Sequence, residues 1–79
     1  MEEARLRWQC RRGMRELDQL LTHYLERRYP LAAEQEKSAF HTLLALPDPE
    51  LIGYLLQREV PREASLKDVV NRIREQTDR

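Results

Sequence analysis

Chemistry in this chain is concentrated near one end. Arg5, Arg7, Arg11, Arg12 and Arg15 fall within eleven residues, together with the only tryptophan, Trp8, and the only cysteine, Cys10. Arginine forks onto carboxylates and carbonyls, and an aromatic side chain beside it is a pairing that binding hot spots favour. Catalytic and metal-binding constellations are weaker. His23 and His41 fall on different expected helices, with no HExxH pairing and no cysteine at ligand spacing, so each is expected at a surface or boundary. Cys10 has His23 thirteen residues on but no third group to orient a nucleophile. The only glycines, Gly13 and Gly53, stand forty residues apart, which excludes a glycine-rich phosphate loop. Carboxylates are plentiful, yet so short a chain offers little concavity in which to raise a carboxylate pKa. No enzyme is expected, and no metal site.

The elements that must hold these residues read as helices nearly throughout. Glu2 to Arg12 suits a short helix closed by Gly13. Leu17, Leu20, Leu21, Tyr24 and Leu25 have the spacing of one buried helical face, ending near Tyr29 because Pro30 follows. A third helix is expected from Ala32 or Ala33 to about Ala45, with Ala39, Phe40, Leu43 and Leu44 inward. Its start has no capping residue. Pro47-Asp48-Pro49-Glu50 is a strong start signal, with Asp48 as cap and Pro49 in the first helical position. Leu51, Ile52, Leu55 and Leu56 then form an apolar stripe, and Pro61 ends the helix. Ser65 and Asp68 resemble a capping box before the face Leu66, Val69, Val70 and Ile73. The last helix is expected to fray into Glu75 to Arg79. The fold class is all-α: four or five short helices packed as one compact bundle in one domain spanning 1–79, ordered over about 4–75.

Length and charge bound the function. Seventy-nine residues allow one small core, and one cysteine excludes an internal disulfide or a thiolate zinc site. The longest uncharged stretch, Ser38 to Pro47, is ten residues, far short of a membrane span. With no apolar leader and an acidic start, the expected compartment is a bacterial cytoplasm. Fourteen basic residues balance fourteen acidic ones. That balance hides a basic N-terminal end, with seven positive against five negative over 1–30, and an acidic middle, with two against five over 31–59.

Projected on one helix at about 100° per residue, Leu6, Cys10 and Leu17 share a side, and Arg5, Trp8, Arg12 and Arg15 the other. Three readings of this stretch stay open. It is structural, with Arg11 and Arg12 at a helix C-terminus, Arg12 paired to Glu16, and Trp8 packed on Ala4. Alternatively it is a protein-binding surface. The third reading, nucleic-acid binding, suffers because Glu2, Glu3, Glu16 and Asp18 dilute the basic stripe.

Arg-Gly-Met-Arg-Glu-Leu-Asp, Arg12 to Asp18, resembles the RGxxE signature of the SdhE-type succinate dehydrogenase assembly factors, whose mitochondrial relatives are called succinate dehydrogenase assembly factor 2. The likeness runs from about residue 4 to residue 75. It takes in Trp8, Glu36-Lys37 before Phe40 and Leu43-Leu44, and Asp48-Pro49 before Leu51 and Tyr54. The resemblance implies a five-helix bundle that binds the flavoprotein subunit of succinate dehydrogenase, and of the related fumarate reductase, and promotes covalent FAD attachment. The factor is then a chaperone with no cofactor of its own, FAD being carried by the partner. It is expected to be a monomer when free, with no nucleic-acid partner and no membrane insertion. Arg12, Gly13 and Glu16 carry over as signature positions at the partner interface, and Trp8, Arg11, Met14 and Asp18 as their neighbours. Two departures are modest: an apolar spacer at Pro30 to Ala33, and Gly53 inside a helix. The rival class is a small interaction protein of antitoxin type, unrelated to flavinylation.

Overall fold

A strongly amphipathic segment becomes the longest helix. In the computed structural model, which describes residues 2–76, Leu17, Leu20, Leu21, Tyr24 and Leu25 line the buried face of α2 (Arg15–Arg27). Before it runs α1 (Glu2–Gln9), and after it a single 3-10 turn at Tyr29–Leu31 that absorbs Pro30. Then follow α3 (Glu34–Leu44), α4 (Asp48–Leu55) and α5 (Ala64–Glu75). No strand occurs among the described residues, and the all-α, five-helix expectation holds.

α3 packs along α5, and α2 meets α1, α4 and α5. Leu6 and Cys10 from the N-terminal end join Phe40, Leu43, Leu51, Val69, Val70 and Ile73 in one core. Tyr24 and Phe40 stack obliquely within it, with ring centroids 4.7 Å apart. The carboxylate of Glu36 is buried beside them. It accepts the Tyr24 hydroxyl, takes a fork from Arg28 at 3.1 and 3.2 Å, and meets Arg72 Nε at 3.2 Å. Burial alone would raise the Glu36 pKa, but the Arg28 and Tyr24 hydrogen bonds and the Arg28 and Arg72 charges together pull it below the usual range. Tyr24 titrates well above an ordinary tyrosine, through burial first and then its bond and proximity to that carboxylate.

Several boundaries differ from the sequence expectation. α1 ends at Gln9 rather than Arg12, because Cys10 turns into the core, its N–H bonded to the Leu6 and Arg7 carbonyls, and the chain then departs. Asp48 is the first residue of α4 and not its cap; Pro47 takes the flanking position and Pro49 the second. Instead of bonding its own helix, the Asp48 carboxylate accepts from Arg12. α4 stops at Leu55, well before Pro61, where the chain doubles back and the Glu59 N–H bonds the Gly53 carbonyl at 2.9 Å. The Ser65–Asp68 capping box does not form, since Glu63 flanks the helix and Asp68 pairs with Arg72 one turn on. Glu75 closes α5, and the rest of the expected frayed tail, residues 77–79, lies outside the described residues.

Candidate functional site

The segment between α1 and α2 folds as a corner around one left-handed residue. Gly13 has φ +81°, a conformation that costs an L-residue about 1–2 kcal/mol. A Cβ built there meets nothing within 4 Å, so its outer side is open space. Met14 precedes α2 in extended geometry and packs partly against the core. Arg15 and Glu16 begin the helix and are exposed. Glu16 and Asp18 sit in the first turn, where carboxylates favour the positive end of the helix dipole.

Arg12 behaves unlike the other arginines of the stretch. Its guanidinium turns inward, donating through Nη2 to the Leu44 carbonyl at the end of α3 and through Nη1 to Asp48 Oδ1 at 3.3 Å. Its backbone N–H donates to Asp18 Oδ1 at 2.6 Å. The helical projection that grouped Arg12 with Arg5, Trp8 and Arg15 therefore fails, because the chain is not helical from Arg11 to Met14. The Arg12–Glu16 ion pair of the structural reading gives way to Arg12–Asp48.

Trp8 is 76% exposed, which overturns the idea that it packs on Ala4 as core. Its carbonyl accepts the Arg11 N–H at 3.1 Å, tying the exposed end of α1 to the corner. Cys10 is fully buried, and desolvation pushes its thiol up to about 11 despite the nearby charges of Arg12 and Arg7. A thiol so placed is inert rather than nucleophilic. His23 and His41 are exposed, and His41 Nε2 meets the Tyr29 hydroxyl at 3.0 Å. Among the described residues no group of His, Cys, Asp and Glu is arranged to hold a metal, and no helix is long and apolar enough to cross a membrane.

The corner stands where two open grooves approach the outer ridge of α2. One, about 600 Å³, runs between α1 and α2 past Arg7, Arg11, Asp18 and His23. The other, about 390 Å³, has Glu16 and Arg58 at its rim and Leu20, Leu55 and Leu56 along it. The structure thus gathers Arg11, Arg12, Gly13, Met14, Glu16 and Asp18 at one corner, with Trp8 leading into it. Sequence reading missed Asp48 and the Leu44 carbonyl. They lie 36 and 32 residues from Arg12, and no local pattern signals the pairing.

Fold and site define a small all-helical protein with a left-handed glycine on an open, hydrogen-bonded corner. The family model described as flavinator of succinate dehydrogenase matches residues 4–77. The FAD assembly factor SdhE of Coxiella burnetii is 38% identical over 75 residues, covering 95% of this chain and 92% of that one. Proteins of the same description from Yersinia pseudotuberculosis (39% over 71 residues, 90% and 81% covered) and Haemophilus ducreyi (33% over 74 residues, 94% and 90%) are similar along nearly the same length. The chain belongs to the succinate dehydrogenase flavinator family, a family of assembly factors and not of catalysts.

Proposed function

We propose that this protein binds the flavoprotein subunit of succinate dehydrogenase, and that of fumarate reductase as a second client, and promotes covalent attachment of FAD. The observation that carries this reading is the Arg12–Gly13–Glu16 corner: the family signature, folded with open space over a left-handed glycine. A partner backbone can approach closely there, as it could not over a long side chain. Arg11, Glu16 and exposed Trp8 supply charge and aromatic area around that point.

FAD belongs to the partner in this reading. Gly13 lies on a corner between helices and Gly53 inside α4, and neither opens a helix behind a strand as a dinucleotide cradle requires. Attachment is then the flavoprotein's own reaction, and the factor raises the population of the reactive arrangement by its differential affinity for it. The protein acts as a monomer in the cytoplasm. Deleting its gene and measuring covalent flavin in denatured succinate dehydrogenase flavoprotein by in-gel fluorescence tests the proposal. Loss of the fluorescent band is expected, and normal labelling during growth that requires the enzyme overturns it.

A further inference from the structure

Resting on that reading of the corner as the partner-binding surface, we infer that Asp48 is a positioning residue for it, and that Arg12 serves the surface through Asp48 and Leu44 rather than by touching the partner. The Arg12 side chain is only 18% exposed, and its Nε is wholly buried, so little of the guanidinium faces outward. Its two terminal nitrogens bridge the end of α3 and the start of α4. The Leu44 carbonyl is the last of α3, where no further turn supplies a donor, and Asp48 opens α4. Both carry negative charge or partial charge, and a planar fork can hold the two at once. From the opposite side Asp18, on α2, holds the Arg12 N–H at 2.6 Å. Three helices therefore converge on the residue that precedes Gly13. They fix the direction in which the open glycine and its neighbours are presented, which spares the complex the ordering of that loop.

Binding of the full-length protein to purified apo-flavoprotein subunit, by calorimetry, tests this with Asp48→Asn, Arg12→Lys, the double variant and Gly13→Arg. Asparagine keeps the size and an acceptor but removes the charge. Asp48→Asn is expected to weaken Kd about five- to tenfold. Amide hydrogen exchange at Arg12 and Gly13 should accelerate about tenfold in the same variant, while the core amides of α2 and α5 keep their rates. Arg12→Lys is expected to cost more, since an ammonium cannot fork, and the double variant should be no weaker than Arg12→Lys alone. If Asp48→Asn binds as wild type while Gly13→Arg does not bind, the surface stands and the positioning role is overturned. Additive losses mean that Arg12 has a partner contact of its own, and weakened binding with unchanged loop exchange means that Asp48 has one; either result overturns the inference. Faster exchange throughout the core reduces Asp48 to a structural residue and overturns it too. Should Gly13→Arg bind normally, the corner is not the interface, and this inference falls with that reading.

Discussion

Gly13 combines a conformational demand with an open outlook, and the two can be separated. Gly13→Ala imposes the positive-φ strain, about 1–2 kcal/mol, without a long side chain. Gly13→Arg adds a side chain directed into the space above the corner. The arginine variant should lose flavoprotein binding with an unchanged far-UV helical signal, and the alanine variant should retain most of it. Equal losses in a binding titration would assign the glycine's role to backbone conformation alone. Cys10 makes a different statement at the same scale. Its raised folded pKa stabilises the protein below the ordinary thiol value near 8.5, and that contribution fades as pH rises from there toward about 11. Urea midpoints should fall across that window in the wild type and less in Cys10→Ala, and a thiol reagent at pH 7 should label the native protein only at the rate of opening.

At the scale of elements, apolar spacing located α2 to α5, whereas capping signals misplaced ends. Asp48 and Ser65 both look like caps, and neither bonds its own helix, because Arg12 offers Asp48 a charge-assisted partner and α5 begins one residue before Ser65. Gly53 explains itself only in part. A Cβ there would lie 2.5 Å from Glu59 Oε1, the exposed tip of a flexible side chain that can swing away. Gly53→Ala should therefore stabilise α4 by up to about 1 kcal/mol through helix propensity, visible as a higher melting temperature. A lower melting temperature would show that the doubling-back at Glu59 needs the bare glycine. The exposed Arg7–Glu26 pair linking α1 to α2, at 2.6 Å, ranks below these effects because water screens both partners.

In the whole molecule, Glu36 is the polar centre of the bundle, joining α3 to Tyr24 of α2, to Arg28 beyond it and to Arg72 of α5. Glu36→Gln should destabilise by about 1–3 kcal/mol, since charge-assisted bonds are lost in a buried place. Its folded pKa is depressed, so its contribution is present above the unfolded value near 4.3 and is lost as pH falls through the folded one. The gap between wild type and variant in denaturant midpoint should hold steady above about pH 4.3 and close as pH falls below it. A gap that persists in acid would assign the loss to packing rather than charge. The equal totals of acid and base matter less than their placement. The basic N-terminal stretch flanks the signature corner, and the acidic middle supplies Glu36 and Asp48 as the internal partners of Arg28, Arg72 and Arg12.

Local pattern was sufficient for the all-α class, the buried faces of α2 to α5 and the signature residues, because leucine spacing and the Arg-Gly-x-x-Glu order are carried by near neighbours in the chain. Folding alone could turn Arg12 inward and leave Trp8 outside, although the two are four residues apart. Arg12 finds acceptors on α3 and α4 more than thirty residues away, and Trp8 finds no wall to pack against once α1 stops at Gln9. A side chain's burial is decided by what the rest of the chain brings beside it, and periodicity does not encode that.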